Sequence, residues 1–305
     1  MAAMADPPFG RLLTAMVTPF RSDGSVDLDA AALLATTLVD QDAHDGLVIN
    51  GTGGEAPTTS DREKADLVRA VVDAVGDRAH VVAGVGTNDT AHTLELAAAA
   101  EKAGADGLLA VTPYYSKPPQ AGLVAHFRTL ADATGLPVML YDIPHRAGTA
   151  IASETLLQLS EHPRVVAVKD AKSDLVASSA VMAGCDLAYY CGEDALTLPM
   201  LSIGAVGVVG TSTHFCGRRT RALIDAALAG EPAEALRLHR QLLPIFVGIF
   251  ATQGAILVKA GLELQGRGVG GVRLPLVPAS AEQRTALGRA LESAGLPSGP
   301  PPPVV

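Results

Sequence analysis

Residues 107–141 read Gly107-Leu108-Leu109-Ala110-Val111, a polar loop from Thr112 to Pro119, an amphipathic segment from Gln120 to Thr134, and Pro137-Val138-Met139-Leu140-Tyr141. The two apolar runs lack the alternating polar residues of a half-exposed strand, so each predicts a strand covered on both faces. A helix-length segment between two such strands is the crossover that parallel pairing requires.

The same unit recurs in both directions from this stretch. Strands are predicted at Leu12 to Val17, Gly46 to Asn50, His80 to Ala83, Gly107 to Val111, Pro137 to Tyr141, Val165 to Lys169, Leu187 to Cys191 and Ala205 to Val209. Helices are predicted between and after them at Asp29 to Gln41, Ser60 to Val75, Asp89 to Ala103, Gln120 to Thr134, Ser153 to Ser160, Ser173 to Met182, Glu193 to Ile203 and Arg218 to Ala229. Ser60 and Glu63 have the spacing of a capping box. Eight βα units predict an α/β fold, a closed (β/α)8 TIM barrel whose chemistry lies where strands end and helices begin. An open doubly wound sheet would want a nucleotide fingerprint, and Gly51-Thr52-Gly53-Gly54 lacks both the third spaced glycine and the Lys-Ser/Thr of a phosphate loop. The expected organisation is a flexible N-terminus (1–9), the barrel (10–230), a C-terminal helical extension (231–295) and a Pro-rich disordered tail (296–305). Within the extension, helices are expected at Pro232 to Ile249, Ala251 to Leu264 and Ala281 to Ser293.

The chain has 305 residues and a net charge of −9, which argues against nucleic acid or an anionic membrane as its partner. Two uncharged stretches, Ala195 to Gly217 and Gln241 to Val258, are long enough to suggest membrane spans, but Pro199, Gly204, Gly207 and the polar Thr211 to His214 break the first. Pro244 and Thr252-Gln253-Gly254 interrupt the second. No signal-peptide pattern precedes Gly10, and Cys185, Cys191 and Cys216 are too few and too irregular for a disulfide framework or a zinc site, so a cytoplasmic location is expected. The eight histidines show no i, i+4 zinc pair, so no metal is expected.

Of the six lysines only Lys169 terminates an apolar strand. Desolvation at a barrel mouth favours the neutral amine, a drop of about 3 pKa units representing ~4 kcal/mol. A neutral amine can attack a ketone to form a Schiff base. The competing reading is a salt-bridged lysine partnered by Asp170 or Glu55. Tyr141 ends strand five and Tyr114 and Tyr115 follow strand four, on the same face, although a strand-end tyrosine commonly packs with its hydroxyl solvated. Tyr189 and Tyr190, within strand seven, are assigned to packing. The loop Asn50-Gly51-Thr52-Gly53-Gly54-Glu55 is glycine-dense where backbone amides can approach an anion, or for steric reasons alone. Arg146 follows Tyr141 by five residues and suits carboxylate recognition, the alternative being a surface arginine.

Together these segments resemble the pyruvate-dependent Schiff-base lyase family typified by dihydrodipicolinate synthase and N-acetylneuraminate lyase. The similarity runs from Leu13-Thr14-Ala15-Met16-Val17-Thr18-Pro19-Phe20 through Val111-Thr112-Pro113-Tyr114-Tyr115, Leu140-Tyr141-Asp142-Ile143-Pro144, Val168-Lys169-Asp170 and Gly192-Glu193-Asp194 to Arg273-Leu274-Pro275. The resemblance implies Lys169 as the Schiff-base lysine, Tyr141 as the acid/base tyrosine, and Thr52 as the hydroxyl linking Tyr141 to Tyr115. It implies that Tyr115 comes from a neighbouring subunit, so that the protein is a homo-oligomer, an obligate dimer usually paired into a tetramer. Thr52 and Gly53 would hold the pyruvate carboxylate, with Gly192 and Val209 lining the pocket, and Arg146 would hold the carboxylate of the aldehyde. The implied reaction condenses pyruvate with L-aspartate-4-semialdehyde, on the route to diaminopimelate and lysine, and needs no cofactor.

One departure stands out. The family usually reads Gly-Thr-Thr-Gly-Glu, or keeps a hydroxyl, where this chain has Gly53, so one charge-assisted hydrogen bond worth roughly 1.5–3 kcal/mol is missing. Three readings follow: a dihydrodipicolinate synthase that tolerates the change, a paralogue using pyruvate with another aldehyde or acting like an N-acetylneuraminate lyase, or a non-catalytic relative. Lys169, Tyr141, Thr52, Tyr115 and Arg146 argue against the third, since a pure binder has no use for a neutral amine beside a relay. The resemblance also locates a lysine-feedback site near Ala56, Asp61, Lys64, Asn88, His92 and Tyr114. There His92 replaces the acidic residue of lysine-sensitive members, and weak response to lysine is expected.

Overall fold

A computed structural model describes residues 5–299. Strands β1 (Leu12–Ala15), β2 (Gly46–Ile49), β3 (His80–Gly84), β4 (Gly107–Val111), β5 (Val138–Asp142), β6 (Val165–Asp170), β7 (Ala188–Cys191) and β8 (Gly207–Gly210) form a closed barrel in sequence order. All neighbours are parallel, including β8 with β1. The (β/α)8 TIM barrel expected from the repeat is therefore the fold. Helices α1 (Leu28–Thr36), α2 (Asp61–Val75), α3 (Thr90–Lys102), α4 (Gln120–Ala133), α5 (Pro144–Ala147), α6 (Ser153–Ser160), α7 (Leu175–Gly184), α8 (Thr197–Ser202) and α9 (Thr213–Leu228) lie along the barrel. Then follow α10 (Pro232–Gly248), α11 (Gly254–Leu264) and α12 (Ala281–Ser293). Among the described residues no helix is long and apolar enough to cross a membrane.

Alternation along each strand divides the core in two. Leu12, Leu47, Leu108, Leu140, Val168, Tyr189 and Val208 pack outward against the helices. Leu13, Val48, Leu109, Met139, Tyr141, Ala167, Tyr190 and Val209 fill the interior. The Ser60 cap is a complete capping box, with Glu63 reaching back to the Ser60 backbone.

Element boundaries differ where side chains compete with the ladder. Strand β1 ends at Ala15 rather than Val17 because the Val17 amide is taken by His214 Nε2 at 3.2 Å. Helix α9 starts at Thr213, five residues before the expected Arg218, and absorbs the polar run through a kink at Cys216 (φ −127°, ψ 22°). The helix expected from Glu193 is a 3-10 turn (Asp194–Leu196) followed by α8. The four-residue α5, started by Pro144, was not expected.

Both terminal assignments need correction. Phe9, placed by its sequence context in a flexible N-terminus, is buried at the bottom of the barrel, edge-on to His80, and its amide donates to the Tyr190 hydroxyl at 3.2 Å. That hydroxyl in turn donates to the Gly10 carbonyl at 2.8 Å. Burying a phenyl ring is worth about 1.5–3 kcal/mol, which offsets the cost of ordering the short terminal segment when a barrel floor is there to receive it. Leu296 is likewise buried, and Gln265 Nε2 donates to the Pro297 carbonyl at 2.8 Å, so these two residues are packed rather than part of a disordered tail. Residues 1–4 and 300–305 of those segments lie outside the described residues.

Candidate active site

Strand register decides the geometry of the centre. Tyr141 on β5 is the register partner of Lys169 on β6, and Lys169 is the partner of Tyr190 on β7. All three share the inward parity of Met139 and Ala167. Lys169 Nζ lies 4.4 Å from the centroid of the Tyr141 ring, and both residues are only 5 % exposed.

The two partners considered for Lys169 are engaged elsewhere. Asp170, one residue on, faces the opposite side of the sheet, where Ser178 Oγ donates to its carboxylate and the Lys172 amide donates to it at 2.8 Å. Glu55 pairs with Lys259 at 2.7 Å. Lys169 forms no ion pair among the described residues. Burial lowers its pKa to about 8, against the opposing pull of the Asp194 carboxylate. Burial pushes the Tyr141 phenol up to about 12, while the adjacent Thr52 hydroxyl and the Arg146 guanidinium pull it down.

A cavity of about 220 Å³ opens over this pair, and Thr52, Gly53, Tyr141, Arg146, Lys169 and Gly192 all line it. The Thr52–Gly53 loop is fixed by its neighbours: Thr18 Oγ1 donates to the Gly54 carbonyl at 2.6 Å, and Asn50 and Glu55 both adopt left-handed φ, 61° and 55°. Gly192 contributes bare backbone. A Cβ there would meet the Asp170 carbonyl at 3.0 Å, and its amide already donates to that carbonyl at 2.7 Å. Arg146 stands on α5 at the rim, where it also borders a larger neighbouring cavity of about 360 Å³ shared with Thr52, Tyr141 and Tyr114.

Two expected site residues are elsewhere. Val209 does not line the cavity: parity turns its side chain inward, and the register of β8 on β1, with Val209 opposite Leu13, sets it within the interior packing of the barrel at 1 % exposure. Tyr115 is 90 % exposed on the loop after β4 with a φ of 72°, and lies outside the cavity of its own chain. The Thr52–Tyr115 link is therefore not made within one chain. Among the described residues no cluster of three or more His, Cys, Asp or Glu is arranged to hold a metal ion.

The dihydrodipicolinate synthetase family model matches residues 8–294, which spans every element of this site. The chain belongs to that family. It is 67 % identical to the 4-hydroxy-tetrahydrodipicolinate synthase of Acidothermus cellulolyticus, over 94 % of this chain and 93 % of the relative. It is 60 % identical to the enzyme of the same name from Cutibacterium acnes, over 92 % and 96 % of the two chains. Among solved structures it resembles the dihydrodipicolinate synthase of Cyanidioschyzon merolae with lysine bound, at 40 % identity and a TM-score of 0.93, covering 95 % of this chain and 99 % of that one.

In this member of the dihydrodipicolinate synthetase family, several residues in or behind the cavity wall carry little local sequence signal of their role. Glu193 lines the cavity, and burial raises its pKa with Asp194 adding to the effect. Asp194 is buried, and its carboxylate accepts from the Ser212 amide at 2.6 Å and the Thr211 amide at 3.0 Å, tying β7 to the end of β8. Phe250, Thr252 and Gln253 come from the α10–α11 connection and close one side. Their signal was the polar break Thr252-Gln253-Gly254 in an otherwise apolar run, a loop that has to be held at a wet site.

Proposed function

We propose that the chain is a Schiff-base lyase that condenses pyruvate with L-aspartate-4-semialdehyde to give 4-hydroxy-tetrahydrodipicolinate. The observation that carries this is Lys169: a buried amine with a pKa of about 8, without an ion pair among the described residues, beside a phenol at an open barrel mouth. Its free amine attacks the pyruvate ketone, and loss of water leaves an imine. The pyruvate methyl then gives up a proton to form an enamine, whose carbon attacks the aldehyde and turns the aldehyde oxygen into a hydroxyl. The substrate's own amino group displaces Lys169 from the imine carbon, closing the ring and restoring the free lysine.

Tyr141 and Thr52 serve as the proton-handling hydroxyls over Lys169, and the Gly53 amide receives the pyruvate carboxylate. Arg146, at the rim rather than the floor, receives the carboxylate of the aldehyde, which favours this reaction over cleavage of a sugar acid. Tyr115, exposed on its own chain, completes the relay of a second copy, so the working unit is a homo-oligomer, a tetramer built as a dimer of dimers. The free cysteines accord with a cytoplasmic setting.

Borohydride reduction in the presence of pyruvate is expected to leave a stable adduct on the peptide carrying Lys169, and a coupled assay with aspartate semialdehyde to show turnover. An adduct confined to Lys259 or Lys172, or none, would overturn the assignment.

A further inference from the structure

The loop that carries Thr52 and Gly53 ends at Glu55, whose carboxylate is buried deep in the protein. Two groups from the C-terminal end of the chain meet it there. Lys259 Nζ, on α11, donates to Oε1 at 2.7 Å, and the Arg273 amide donates to Oε2 at 2.9 Å. Lys259 is itself held on three sides, donating also to the Gly271 carbonyl at 2.6 Å and lying 4.0 Å over the Phe20 ring. Glu55 has a left-handed φ of 55°, a conformation that a non-glycine residue keeps only when its surroundings enforce it. The helix that supplies Lys259 begins at Gly254, next to Thr252 and Gln253 in the cavity wall.

We infer that the Glu55–Lys259 ion pair is a positioning pair for the reaction: it fixes the Thr52–Gly53 loop against α11, so that the C-terminal extension sets the geometry in which pyruvate is bound. The inference rests on the function proposed above. Neither residue lines the cavity over Lys169, and each acts through the loop. Arg146 stands on α5 and, although it borders the larger cavity with Glu55, it makes no hydrogen bond or ion pair to Glu55 or Lys259 among the described residues, so recognition of the aldehyde depends on the pair less than pyruvate binding does.

The test uses the full-length protein and two kinds of variant. Removing one partner leaves a buried charge unmatched, so Glu55→Gln is combined with Lys259→Met to remove both charges at nearly constant volume. Lys259→Arg keeps a cation opposite Glu55 and holds the fold while changing the reach. Both are expected to raise the pyruvate KM, by about tenfold or more in the double variant, with the aldehyde KM near that of the parent. A pair that served stability alone would lower the melting temperature and leave both KM values unchanged, and that result in either folded variant overturns the inference. The parent protein, reduced with borohydride and pyruvate alongside, separates the two questions: no adduct on Lys169 defeats the proposed function, whereas an adduct with unshifted variants defeats only the positioning role.

Discussion

Tyr141 and Lys169 are register partners on adjacent strands, and inward parity brings the ammonium within 4.4 Å of the phenol ring. The contact follows from the parallel ladder between β5 and β6, so it is as rigid as the barrel wall. A pair built into strands is held far more firmly than one on loops.

The pKa of Lys169 predicts a pH profile. Lowering it from 10.5 to about 8 gives about 300-fold more neutral amine at pH 7 than an ordinary lysine has. Because the free amine is the reactive form, imine formation at limiting pyruvate is expected to rise with pH and level off above about 8. The sign for stability is the same: the unfolded chain binds this proton more tightly between pH 8 and 10.5, so the group favours unfolding below that window and the penalty fades as pH rises through it. Stopped-flow trapping of the imine across pH 6 to 10 checks the kinetic arm; a rate flat across that range would contradict it.

Arg146→Ala is expected to separate the two substrates. The side chain is at the rim and its loss removes a charge-assisted contact worth about 2 kcal/mol, or about 30-fold in kcat/KM for aspartate semialdehyde. Borohydride adduct formation with pyruvate should be close to that of the parent. Equal losses in both measurements would make Arg146 a structural residue.

Gly53→Thr restores the hydroxyl that the family usually carries. Its Cβ would approach the Ala15 carbonyl to 3.0 Å, so β1 must yield by a few tenths of an ångström. The charge-assisted hydrogen bond outweighs that shift by about 1 kcal/mol, and the pyruvate KM is expected to fall about fivefold. A higher KM, measured by initial rates, would mean that the β1 terminus does not yield and the pocket is built around glycine.

Lysine feedback is expected to be weak. His92 Nε2 and the Asp61 carboxylate are 2.9 Å apart, which engages the one acid available to meet a cationic effector, and Lys64 Nζ points nearby and donates to the Thr59 carbonyl. Millimolar lysine should leave the condensation rate nearly unchanged at neutral pH. Isothermal titration detecting micromolar binding would refute this while leaving the catalytic reading intact.

The repeat of apolar runs and amphipathic segments determined the barrel, because strands buried on both faces and separated by crossover helices close in only a few ways. Lys169 and Tyr141 stood out in the sequence because each sits at the end of such a run, and the parity that aims them inward is a local property of a strand. What lay beyond reach depends on contacts distant along the chain. Whether Lys169 was free or paired turned on Glu55 choosing Lys259, 204 residues away, instead. Phe9 found the barrel floor through Tyr190, 181 residues on. The cavity wall at Phe250 to Gln253 belongs to a segment that no local pattern ties to β6. The depth of Val209 was decided by how far β8 is staggered against β1, since periodicity gives the face of a side chain but not its height along the barrel axis. Local pattern fixes which way a residue points, and only closure of the chain upon itself decides what it meets there.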